Sequence, residues 1–80
     1  MDQVITELYF KIIACKQEHQ RDLKRMYTNC RRIQTEISKE DVICRRFGKD
    51  SPKMLDLREE LVQAVNNLEQ YLVFATLLNG

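Results

Sequence analysis

Along the first half of the chain one set of positions recurs at helical spacing. Ile5, Ile12, His19, Met26 and Ile33 return every seven residues, joined by Leu8 and Cys15 three positions on, then by Leu23, Cys30 and Ile37 four positions on. Such a seam is the mark of one helix face turned to a neighbour. The step changes from three to four as the stripe of a straight 3.6-residue helix does when it drifts against a strict heptad, which favours a packed helix over a long supercoil. The spacing predicts a first helix over residues 3–37. Ser38-Lys39-Glu40-Asp41 then fits a capping box, with Ile37 and Val42 placed as a hydrophobic staple. That predicts a short middle helix over 39–47, ended by Phe47 and by Gly48 in the left-handed position that glycine tolerates. The alternative is one uninterrupted helix to Phe47, since Cys44 and Phe47 still follow the seam.

Ser51-Pro52 marks the clearest boundary: serine can cap free N–H groups, and proline at the first helical position has no N–H to satisfy. From there Met54, Leu57, Leu61, Ala64, Val65, Leu68, Leu72, Ala75 and Leu78 share one face, predicting a last helix over 52–78. The expected fold is all-α, either an antiparallel helical hairpin or a three-helix arrangement with a short middle helix, with coiled-coil-like packing in one domain spanning 1–80. At about 1.5 Å per residue the last helix is about 40 Å long and the first about 52 Å, so a simple hairpin leaves one end unmatched.

Both ends carry more apolar residues than one neighbour can cover. Val4, Ile5, Leu8, Tyr9, Phe10, Ile12 and Ile13 point in many directions around the first helix, and residues 71–78 show the same excess. Antiparallel packing sets the start of the first helix beside the end of the last, so the two patches should adjoin and offer a partner surface. Its expected residues are Val4, Leu8, Tyr9, Phe10, Ile13, Val73, Phe74 and Leu77, of which Val73, Phe74 and Leu77 lie off the seam of the last helix. The competing possibility is that the two patches pack only on each other.

Composition supports a helical binding module. Apolar residues make up 44% and charged residues 31%, with two glycines, one proline and no tryptophan, a balance that suits a bundle better than disorder or a sheet. Eighty residues bury only about 60% of their unfolded surface, so a partner or a second copy is expected. The longest uncharged stretch, Gln70 to Gly80, is far short of the ~20 apolar residues needed to cross a bilayer, so no membrane span is expected. The start Met1-Asp2-Gln3 lacks a positive leader region, and three cysteines without a C-x-x-C pair point to reduced thiols; both predict a cytoplasmic protein.

Residues 16–53 hold eleven Lys/Arg against six Asp/Glu, which raises nucleic acid as a partner. Glu18, Asp22, Glu36, Glu40, Asp41 and Asp50 are interleaved with them, several at i,i+3 or i,i+4, as on a solvated face. Tyr27 alone is placed to stack on a base. Cys15 and His19 have the spacing of two metal ligands, but Cys30 lies about 22 Å further along an unbroken helix and cannot join them, so no metal or other cofactor is expected. One histidine, two serines spent as caps and no glycine-rich loop leave no catalytic constellation; the chain is read as no enzyme.

The amphipathic helix, polar turn and segment Leu61-Val62-Gln63-Ala64-Val65-Asn66-Asn67-Leu68-Glu69-Gln70-Tyr71-Leu72 resemble the small helical-hairpin cochaperones of type III secretion needle subunits (the YscE and SsaE type). The likeness covers residues 20–78 and extends to size, absence of catalytic groups and an apolar helical end. It implies a cytosolic cochaperone that holds an aggregation-prone helical subunit together with a larger chaperone. The Arg-rich segment from Asp41 to Lys49 departs from that pattern. Beside this reading stand a homo-oligomeric structural coiled coil or bundle and a small nucleic-acid-binding regulator using the basic middle.

Overall fold

A computed structural model describes residues 2–79, with the side chains of 3–78. They form three helices and, among the described residues, no strand: α1 over Asp2–Ile13, α2 over Gln17–Phe47 and α3 over Pro52–Asn79. The fold is all-α, as the periodicity predicts, but its boundaries differ at two places.

The predicted helix over 3–37 breaks at 14–16. Cys15 N–H bonds back to the Ile12 carbonyl at 3.0 Å, and Lys16 turns extended (φ −62°, ψ 148°) before α2 starts from its carbonyl. The Gln20 side-chain amide then reaches back to the carbonyls of Cys15 (2.7 Å) and Ile13 (3.2 Å), satisfying acceptors that the end of α1 leaves open. Nor does the chain stop at Ser38, and the short helix over 39–47 is the end of α2. Ser38 Oγ donates to the Gln34 carbonyl four residues back instead of capping a new helix, and Val42 is exposed rather than stapled to Ile37.

The break lets α1 fold back along α2. The Tyr9 and Tyr27 rings lie 5.1 Å apart, whereas eighteen residues of unbroken helix would separate them by about 27 Å. Ile5, Leu8 and Ile12 thereby turn inward as a third layer on the α2–α3 hairpin, in one core with Leu23, Cys30, Ile33, Leu57, Leu61, Val65, Leu68 and Leu72. The remaining helices match, at about 46 Å for α2 and 42 Å for α3, and fit a rod 50 × 17 × 15 Å. The expected overhang is absent because the residues that made it are α1.

At the far end the chain reverses as expected. Gly48, at φ 74°, closes α2 with its N–H on the Cys44 carbonyl. Ser51 caps α3, its Oγ accepting from Met54 N–H at 3.1 Å. The same hydroxyl donates at 2.8 Å to Glu40, a buried carboxylate only 8% exposed, and Ser51 N–H donates to Cys44 Sγ at 3.4 Å. Two turns of α2 are thus tied to the first turn of α3 by a polar latch, with Lys53 Nζ 3.9 Å from the second Glu40 oxygen.

Candidate functional site

Since α1 runs antiparallel to α2, and α3 does too, α1 and α3 lie side by side in the same direction. It is therefore the end of α1, not its start, that meets the end of α3. Between them lies an open groove of about 550 Å³, formed by Leu8, Lys11, Ala14 and Cys15 on one side and Glu69, Leu72, Val73, Thr76 and Leu77 on the other. Leu8 and Leu72 are buried and belong to the core; Val73 and Leu77 stand exposed along one wall.

The groove has little polar chemistry to offer. Thr76 Oγ1 donates to the Leu72 carbonyl at 2.8 Å within α3, and Cys15 Sγ, in the turn after α1, to the Lys11 carbonyl at 3.3 Å, so both already have partners. Lys11 and Glu69, opposite in sign, are its two charged residues. A cleft built for a small polar substrate has several converging donors and acceptors; this one has an apolar floor and one charge from each helix.

The eight residues expected at the partner surface divide. Leu8 does not belong with the others: at 3% exposure it shares the inward stripe of Ile5 and Ile12, because α1 turns that stripe onto two helices rather than one. Val73 and Leu77 flank the groove, Leu77 at 75% exposure. Val4, Tyr9, Phe10 and Ile13 are exposed on α1, with the Tyr9 ring edge-on to Phe10 at 6.2 Å and tilted against Tyr27. Phe74 is exposed beside Tyr71, their centroids 6.3 Å apart. Lys11, Ala14, Cys15, Glu69 and Thr76 escaped the sequence reading, since only the turn at 14–16 brings them together.

Part of the basic middle is engaged with acids. Arg32 contacts Glu36 at 3.1 Å, Glu60 at 3.3 Å and Asn29, Arg45 contacts Asp41 at 2.9 Å, Lys53 lies 3.9 Å from Glu40, and Asp50 is taken by Arg58 of α3 at 2.8 Å. Such exposed pairs contribute about 0–1 kcal/mol each to stability, yet they occupy cations that would otherwise meet phosphates. His19 lies against the Tyr71 ring at 6.4 Å, next to Glu18. Burial, and then the charge of Asp22, whose carboxylate accepts from the Tyr71 hydroxyl at 3.4 Å, push the Tyr71 phenol above its ordinary value. Cys30 and Cys44 are buried and Cys15 half-buried, all three free, and desolvation raises the Cys30 thiol.

No helix among the described residues is long and apolar enough to cross a membrane. No family model matches this chain, and no curated protein or solved structure is detectably similar to it.

Proposed function

We propose that this protein is a helical interaction module that holds an amphipathic helix of another protein in the groove between α1 and α3. The observation that supports it is the groove itself: apolar, open, bordered by exposed Val73 and Leu77, and continuous with the apolar end of a chain whose core seam is already filled. A helix laid there would cover its apolar stripe by the helix-in-groove mode, with Lys11 and Glu69 available to opposite charges on its flanks. Within this reading, the resemblance of residues 20–78 to needle-subunit cochaperones makes an aggregation-prone helical secretion subunit the proposed class of cargo, and the cytoplasm the proposed site of action.

The test is co-purification of the tagged full-length chain from its native host, comparing Leu77→Asp with Val62→Asp. Both residues are exposed on α3, but only Leu77 borders the groove. Loss of a stoichiometric helical partner from Leu77→Asp alone, with both variants equally helical, supports the reading. A wild-type chain that purifies alone as a stable dimer, broken by Leu77→Asp, would instead favour the homo-oligomeric one.

A further inference from the structure

The opposite end of the rod carries a second surface that the groove does not explain. Lys39, Ile43, Arg46 and Phe47 fall at i, i+4, i+7 and i+8 on α2, so they share a face, and Val42 lies one turn before Arg46. Phe47 is 72% exposed, and Val42 and Ile43 are exposed as well. Ile43 and Phe47 border a hollow of about 300 Å³ shared with Lys49 and Pro52 of the following turn.

The charges around this patch are unbalanced once existing pairs are removed. Asp41 is held by Arg45, Asp50 by Arg58, Glu36 by Arg32, and Glu40 is buried on Ser51 with Lys53 beside it. Lys39, Arg46 and Lys49 have no ion pair among the described residues; on the first half of α3, exposed Asp56 and Glu59 are the acids left to set against them. The carbonyl end of α2 offsets only part of this surplus, because Gly48 and Lys49 N–H groups already occupy the Cys44 carbonyl.

We propose that this tip docks on an anionic phospholipid surface, with Phe47 and Ile43 entering the headgroup boundary and Arg46, Lys49 and Lys39 meeting lipid phosphates and carboxylates. The chemistry of the patch selects a bilayer over a folded protein: a protruding aromatic and aliphatic pair ringed by unpaired flexible cations suits a surface that needs only shallow apolar insertion and near-surface charge. The groove lies toward the other end of the 50 Å rod, so a membrane-seated chain would keep it clear of the lipid.

The experiment is co-sedimentation of the full chain with vesicles of phosphatidylcholine alone or with about 30% phosphatidylserine, in about 0.1 M salt. Binding should require the anionic lipid and weaken as salt rises. Each surface cation changes affinity about fivefold, so Arg46→Glu, a change of two charges, should lower it at least about tenfold. Phe47→Ser should lower it as well, while mid-rod Val62→Ser leaves it unchanged. Circular dichroism would show all three variants folded, since each residue is exposed. Equal binding to neutral vesicles, no binding, or equal loss from Val62→Ser would overturn the proposal. Retention on polyglutamate without vesicle binding would assign the tip to an acidic peptide, and a dimer dissolved by Phe47→Ser would assign it to a second copy.

Discussion

Replacing Ser51 by alanine removes three hydrogen bonds through one oxygen, the weakest of them the 3.7 Å contact from Cys44 Sγ. The cap on Met54 N–H is worth about 1 kcal/mol, with measured caps ranging from about 0.5 to 2 kcal/mol. Glu40, only 8% exposed, also loses its 2.8 Å donor, and Lys53 at 3.9 Å compensates poorly; a buried acceptor stripped of its partner costs about 1–3 kcal/mol. The expected loss is therefore about 2–4 kcal/mol, or about 4–8 °C of melting temperature for each kcal/mol in a chain of this size. Urea and thermal unfolding followed by far-UV circular dichroism would measure it. The decisive step is to repeat the substitution in a Glu40→Leu background, where no carboxylate is left stranded. There Ser51→Ala should cost only the cap, about 1 kcal/mol. The same cost in both backgrounds would refute the coupling between Glu40 and Ser51, and with it the latch.

Other substitutions probe the core, the turn and the thiols. Leu68→Ala, at a fully buried position, should cost about 2–5 kcal/mol, whereas Phe74→Ser, exposed and edge-on to Tyr71, should cost under about 1 kcal/mol; equal melting temperatures would place Phe74 in the core. Lys16→Pro should be neutral or stabilising by up to about 1 kcal/mol, since its φ of −62° is already proline's; a loss of about 3 kcal/mol, the cost inside a continuous helix, would mean that α1 and α2 are one. With a thiol reagent, Cys15 should react first and Cys30 only on unfolding; simultaneous reaction would contradict the burial. The Cys30 and Tyr71 ionisations are both raised by folding, so the native state holds their protons longer than the unfolded chain does. That stability is present at neutral pH and is lost as pH climbs through the ordinary thiol and phenol ranges toward the raised values, which alkaline unfolding curves would show.

The seam residues, the Gly48 stop and the Ser51-Pro52 start were legible because each rests on local chemistry: periodicity, a left-handed glycine and a side-chain cap. The turn at 14–16 was written in the sequence but open to two readings. The change in step between Cys15 and Leu23 is what a drifting straight helix produces, and equally what two helices in different phase produce. Nothing local separates them, because Lys16 is no helix breaker and the Gln20 amide that closes α1 acts only once the chain has turned. Ser38 misled in the opposite way: its hydroxyl bonds the Gln34 carbonyl inside a continuing helix instead of capping a new one. Glu40 looked like part of a charged surface because its partner, Ser51, lies eleven residues away across the reversal. The apolar excess at both ends was visible, but the groove it forms depended on the missed turn, so Cys15 and Thr76 could not be placed there.

Cys15 provides the most direct test of the groove, being half-buried within it while Cys30 and Cys44 are buried elsewhere. A photo-crosslinker attached to Cys15 of the full chain, activated in native-host extract and mapped by mass spectrometry, should join it to one protein, at the apolar face of a helix. The same label on Asn67→Cys in a Cys15→Ser background, exposed and away from the groove, should give no such product. Equal cross-linking from both positions, or from Cys15 only to a second copy of this chain, would contradict the account.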